Sequence, residues 1–271
     1  MSNENRATSP LIGIFDSGIG GLTVANAIVD LLPRYSLRYF ADTAHVPYGG
    51  QPAETIQGYS VDISRFLLEQ GCKVIVVACN TATAAALNTL RITWPQVPFI
   101  GMEPAVKPAA EATHTNKVGV LATRGTFSSE RYAALMHRFA ANVTVFQNPC
   151  LGLVEAIETG ETESASTALL LREILEPMLV QGVDTLVLGC THYPLVRPLI
   201  ERIVGPAVTV IDPAPAIARQ LYRVLEANDW IPAGQALGHH FFYTSGNPES
   251  LQIHAHRFFK APFQVEHRLI S

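Results

Sequence analysis

Two cysteines in this 271-residue chain stand where a thiol can do acid–base chemistry. Cys79 ends the apolar run Val74-Ile75-Val76-Val77-Ala78 and opens Asn80-Thr81-Ala82-Thr83. Cys190 ends Leu186-Val187-Leu188-Gly189 and opens Thr191-His192-Tyr193-Pro194. Each reads as a residue at the carboxyl end of a buried strand and the start of a helix. Asn80 or Thr81 can cap the first helix, and Pro194 suits an early position in the second. Free N–H groups at such a start attract a carboxylate, and a thiol there is expected to ionise below its usual pKa of about 8.5. A lone cysteine in this setting is equally a small buried hydrophobe. Two at matched positions, each followed by hydroxyl-bearing residues, argue for paired use. His192 could stabilise the Cys190 thiolate or carry its proton, or simply lie at the surface. Asp16 follows another strand-like run, Leu11–Phe15, and precedes Gly18-Ile19-Gly20-Gly21. That GxGG pattern is a poor dinucleotide signature. It suits a loop whose backbone approaches a small ligand, with Asp16 as an ordinary helix cap the alternative.

The framework that would position these residues is legible as alternation. Short apolar runs at Leu11–Phe15, Leu37–Ala41, Lys73–Ala78, Pro98–Gly101, Lys117–Leu121, Val143–Gln147, Thr185–Gly189 and Val208–Ile211 read as buried strands. Ala53–Gln70, Ser128–Ala140 and Ser166–Gln181 read as amphipathic helices between them. Such alternation predicts an α/β fold with largely parallel sheets, whose ligands gather at the carboxyl ends of the strands. The halves are also alike. A glycine stands eight positions before each cysteine, Gly71 before Cys79 and Gly182 before Cys190, with a strand filling the interval. A pseudo-twofold arrangement would bring the cysteines face to face across a cleft. From about Pro213 the chain is expected to fold back onto the first half. The lobes would then be residues 11–103 with 213–271, and residues 104–212.

Composition excludes several classes. Hydrophobic residues make up 48% and charged residues 15%, which suits a globular protein with a large core. A net charge of −4 argues against a nucleic-acid surface or an anionic-membrane anchor, so neither partner is expected. The polar start MSNENRATSP lacks the layout of a signal peptide, and the apolar runs are too short to cross a bilayer; a cytoplasmic protein is expected. The four cysteines show no CxxC or zinc-knuckle spacing, and Cys72 and Cys150 read as structural. His239-His240 and His254-x-His256 fall in a strand-like C-terminal segment without a nearby carboxylate or cysteine set, so no metal is expected. The four lysines lie in no phosphate-binding motif, which disfavours pyridoxal phosphate.

The ordered set of motifs resembles the glutamate racemases, within the aspartate/glutamate racemase family. The matching runs are Gly13-Ile14-Phe15-Asp16-Ser17-Gly18-Ile19-Gly20-Gly21, Pro47-Tyr48-Gly49, Ala78-Cys79-Asn80-Thr81-Ala82, Val118-Gly119-Val120-Leu121-Ala122-Thr123 and Gly189-Cys190-Thr191-His192-Tyr193-Pro194. Asp212-Pro213 and Phe242-Tyr243-Thr244-Ser245-Gly246 also fit. The resemblance implies two pseudo-symmetric three-layer α/β lobes with the site in the cleft between them, and no cofactor. It implies Cys79 and Cys190 as the acid/base pair, assisted by Asp16 and His192. Cys79 would take the proton from D-glutamate and Cys190 from L-glutamate. Asp16, Ser17, Pro47, Tyr48, Gly49, Asn80, Thr81, Thr123, Thr191 and His192 match substrate-binding positions, and Glu155 a family glutamate near the second cysteine. The expected partner is a small-molecule substrate, L- or D-glutamate; a homodimer is the one protein assembly considered. The expected product use is D-glutamate for peptidoglycan. Rival readings are an aspartate racemase, a cysteine-nucleophile hydrolase needing one cysteine with an oriented histidine, and a non-catalytic binding protein. Intact paired cysteines disfavour the last two.

Overall fold

Burial along the strands explains why the sequence reads as continuous apolar runs. Between Cys72 and Val77, Val74 and Val76 join one buried cluster while Ile75 and Val77 join another on the opposite face. A strand buried on both faces needs helices on both sides, which is the parallel α/β solution. The computed structural model describes residues 10–232 and 234–270; the first nine residues of the polar N-terminus lie outside it. Its strands are β1 Leu11–Asp16, β2 Leu37–Ala41, β3 Cys72–Val77, β4 Phe99–Gly101, β5 Lys117–Leu121, β6 Thr144–Asn148, β7 Thr185–Leu188, β8 Thr209–Ile211, β9 His240–Thr244 and β10 Phe263–His267. They form a six-stranded sheet, β10-β9-β2-β1-β3-β4, and a four-stranded sheet, β6-β5-β7-β8. Every pairing is parallel. The expected α/β class with two lobes is the observed one.

Internal repetition is plain in the strand order. The run β2-β1-β3-β4 becomes β6-β5-β7-β8 when each strand is advanced by four. Gly71 before β3 and Gly182 before β7 both take positive φ, 87° and 82°, a turn conformation that costs glycine little. Cys79 follows β3 and Cys190 follows β7, so the matched sequence positions are matched structural positions.

In the first lobe, helices α1 Leu22–Leu31, α2 Ala53–Glu69 and α3 Asn80–Thr93 follow the first three strands in turn, while α4 Val106–Ala112, after β4, packs on β5 and β7 of the second. In the second, α5 Arg124–Phe127 and α6 Glu130–Phe139 follow β5, and α7 Leu153–Glu158 and α8 Ala165–Val180 follow β6. Helix α9 Arg197–Val204 follows β7 after a short 3-10 turn, and α10 Ala214–Ala227 follows β8. The chain then returns: α10 packs on α1, β9 pairs with β2, and β10 pairs with β9.

Two local expectations need correction. The helix read at Ser128–Ala140 begins two residues later, as α6, because Ser129 adopts an extended backbone and accepts a hydrogen bond from the Tyr132 N–H. His254 and His256 lie not in a strand but in α11, Pro248–Phe258, which Asn247 caps by accepting from the Glu249 and Ser250 N–H groups. Pro248 at the first helical position reinforces that start. Among the described residues, no group of three or more His, Cys, Asp or Glu is arranged to hold a metal, and no helix is long and apolar enough to cross a membrane.

The loop before β5 is tied down by Asp184, which accepts from Thr113 Oγ1 at 2.6 Å and from the His114 and Thr115 N–H groups at 2.7 and 2.8 Å. Partial burial opposes the charge, but these donors outweigh it and bring the Asp184 carboxyl down to about 2. A folded-state pKa below the usual 3.8 gives stability that is present above 3.8 and lost as pH falls through about 2. Asp184→Asn should therefore melt about 2–4 °C below the wild type at neutral pH. Thermal melts across pH should show the gap closing between about 4 and 2; a gap independent of pH would remove charge from the explanation.

Candidate active site

Asp16 closes β1 with its carboxylate fully buried. Oδ2 accepts from the Gly18 and Gly21 N–H groups at 3.1 and 3.0 Å, and Oδ1 accepts from Thr191 Oγ1, on the opposite lobe, at 3.1 Å. Asp16 thus shapes the glycine loop and ties it to the loop after Cys190. Burial raises its pKa, with His192 opposing. The glycines also permit a close contact between the lobes. A Cβ on Gly20 would sit 2.6 Å from His192 Nδ1 and 2.7 Å from Thr191 Oγ1, and one on Gly18 would overlap the Glu158 carboxylate. The loop is small so that the second lobe can close on it.

Cys79 is itself the cap of α3, its sulfur accepting from the Ala82 N–H at 3.4 Å; Asn80 and Thr81 are the first helical residues, not caps. Its thiol also donates to Ser17 Oγ at 3.6 Å. The expected fall in its pKa does not occur. Burial and the neighbouring Asp16 push the Cys79 thiol up to about 12, against the Ala82 N–H and Ser17, and Cys190 adds to the rise. A helix start is worth little to a sulfur that has lost its water.

Cys190 Sγ lies 3.7 Å from His192 Nδ1, and His192 Nε2 lies 2.6 Å from Glu158 Oε1. The same Glu158 oxygen accepts from the Ile19 N–H at 2.8 Å, a second tie between the lobes. Burial works against an imidazolium here, but hydrogen bonds to Cys190 and Glu158, and their charges, hold His192 well above its ordinary value. Glu158 is lowered despite its own burial, by the hydrogen bond and charge of His192. His192 is buried, so its reading as a surface residue falls.

Around this pair lie the other expected residues. Thr81 Oγ1 and Thr123 Oγ1 meet across the lobes at 2.8 Å, and Gly49 packs on the Thr123 side chain. Tyr48 is buried and donates to Asp42 Oδ2 at 2.5 Å. Asn80 is buried with Nδ2 donating to the Met102 carbonyl at 3.4 Å and Oδ1 unpartnered. Pro47 and Glu155 line a cavity of about 180 Å³ beside Gly49 and Thr123. Glu155 is exposed; the carboxylate that reaches the Cys190 loop is Glu158, one turn further along α7. Asp42, which also accepts from Ser245 Oγ at 2.6 Å and His45 Nδ1 at 2.8 Å, was likewise not singled out from the sequence. Cys72 and Cys150 are buried, and Cys150 Sγ lies 3.5 Å from the Asn148 carbonyl. Cys79 and Cys190 are 4% and 6% exposed, and a cavity of about 660 Å³ is lined by Thr81, two residues past Cys79.

Paired buried thiols at equivalent strand ends suit proton transfer on two faces of one carbon. The sequence profile of the Asp/Glu/hydantoin racemases matches residues 12–221. The chain belongs to that family. Within it, the chain is 54% identical over 244 residues to a glutamate racemase of Pseudomonas aeruginosa, covering 90% of this chain and 92% of that protein. A glutamate racemase isoform from Bacillus anthracis superposes with a TM-score of 0.87 at 33% identity, covering 98% of both chains. A glutamate racemase from Francisella tularensis, solved with D-glutamate, superposes with a TM-score of 0.84 at 31% identity, covering 96% of this chain and 98% of that one.

Proposed function

We propose that this racemase interconverts L- and D-glutamate, with Cys79 and Cys190 as acid and base on opposite faces of the α-carbon. The observation that supports this reading is the placement of two buried cysteines at equivalent strand ends, near enough for each charge to be felt by the other. A thiolate on one side removes the Cα proton, and the C–H electron pair passes to the carbanion. The thiol on the other side delivers its proton to the opposite face, forming the new C–H bond and leaving a thiolate there. Two positioned bases make rotation of the intermediate unnecessary. Hydroxyls of Ser17, Thr81, Thr123 and Thr191 are suited to hold the carboxylates as charge develops. The substrate ammonium is the positive charge that can offset the burial of Cys79. His192, fixed by Glu158, is placed to pass a proton to or from Cys190. The product D-glutamate would serve peptidoglycan synthesis. The lobes are read as residues 11–103 with 213–271 and residues 104–212, since β9 and β10 extend the first sheet.

A chiral assay tests the reading directly. Exhaustively dialysed protein, with chelator present, should racemise glutamate fully, because both bases are protein side chains. Activity lost on chelation and restored by a divalent ion would overturn cofactor independence. A site spanning two carboxylates leaves donors unpaired on aspartate, at about 1–3 kcal/mol for each buried group. Glutamate should exceed aspartate by roughly tenfold or more in kcat/KM. Equal rates on both would favour an aspartate racemase instead.

A further inference from the structure

Because the two thiols are buried, glutamate needs a way in, and a large cavity lies near Cys79. The cleft of about 660 Å³ runs along the seam between α2 and α3 of one lobe and α5 and α6 of the other. Its inner wall includes Thr81, two residues past Cys79, and Gly49. At that wall Thr81 hydrogen-bonds Thr123 of the other lobe at 2.8 Å, and Gly49 packs closely on the same Thr123 side chain. Arg124 lines this cleft and also the smaller cavity of about 180 Å³ on the other side of Thr123. It is exposed, and among the described residues its guanidinium has no hydrogen-bond or carboxylate partner. The neighbouring Arg131 is already engaged by Glu103 at 2.6 Å and Asn88 at 3.0 Å, and Glu130 is the acid on the same wall. A chain of net charge −4 repels a dicarboxylate overall, so an unengaged cation at the mouth has a local field to supply.

We propose that this cleft is the vestibule for the amino dicarboxylate, with Arg124 drawing in its carboxylate and the Thr81–Thr123 contact forming the inner gate. The inference rests on the glutamate racemase reading. Arg124 touches no reacting atom and acts before chemistry begins. Wild type, R124Q and R124E are compared with both enantiomers at several salt concentrations. In R124E, KM should rise roughly threefold or more with both enantiomers while kcat stays within about twofold, and the salt dependence of kcat/KM should flatten. R124Q should fall between. A second readout is independent of turnover: labelling of Cys79 and Cys190 by anionic iodoacetate relative to neutral iodoacetamide, followed by mass spectrometry. R124E should lower that ratio. Unchanged KM in an active R124E enzyme overturns the vestibule. Failure of the wild type to racemise glutamate overturns the parent reading instead, and the labelling ratio alone then decides whether Arg124 guides anions to the thiols.

Discussion

Cys79→Ala and Cys190→Ala should each abolish glutamate racemisation, by at least the roughly 10²–10⁴-fold that a positioned acid or base contributes. Each removes the proton donor and acceptor from one face while leaving the other. In deuterated water, the surviving thiol can still lift and return a proton on its own side. Cys79→Ala should exchange the α-proton of L-glutamate only, and Cys190→Ala that of D-glutamate only, as judged by mass spectrometry of the recovered enantiomer. Exchange of the opposite enantiomer by each variant would reverse the assignment of faces. Substantial racemisation by either variant would refute the two-thiol mechanism.

The second large effect belongs to His192. His192→Asn should lower kcat/KM by about 10²–10⁴-fold, the range for a proton-transfer partner. Glu158→Gln keeps an oxygen for the Ile19 N–H but removes the charge facing the imidazole. It should cost less, about 10-fold to 10²-fold. Its signature is the pH profile. Glu158 raises His192, so without that charge the imidazolium is lost at lower pH and the alkaline limb of kcat/KM should move acidward. Enantiomers in water have equal free energies, so kcat/KM must fall equally in both directions; kcat and KM can divide the loss differently. An unmoved alkaline limb with full activity in Glu158→Gln would reduce Glu158 to a structural tie.

Most of the framework was legible because both faces of each sheet are covered. Residues such as Ile75 and Val76 point to opposite cores yet are equally apolar, and the resulting runs mark β2 and β5 to the residue. The start of α6 was legible only to within two residues, since Ser128 and Ser129 are both capping types and only Ser129 accepts from a helical N–H. The Cys79 environment was hidden for another reason: the helix start is a local signal, whereas burial and the approach of Asp16 are tertiary. Glu155 and Glu158 sit one turn apart on α7, and only the packing of α7 against the Cys190 loop selects the second. Asp42 did carry a signal. It follows β2 as Asp16 ends β1, a carboxylate at the carboxyl end of a central strand, and it holds Tyr48, His45 and Ser245 together.

Asp16 receives Thr191 from across the seam, Glu158 receives the Ile19 N–H, and Gly20 lies against His192. These ties exist only when the lobes are together, and parting the lobes far enough to exchange the amino acid means breaking them. Water then reaches the sulfur atoms while no carbanion is present. When the ties re-form, the carbon acid is deprotonated between buried side chains of both lobes. Admission and reaction are thereby separated in time, like the two doors of an airlock, and the short-lived anion exists only behind the closed one.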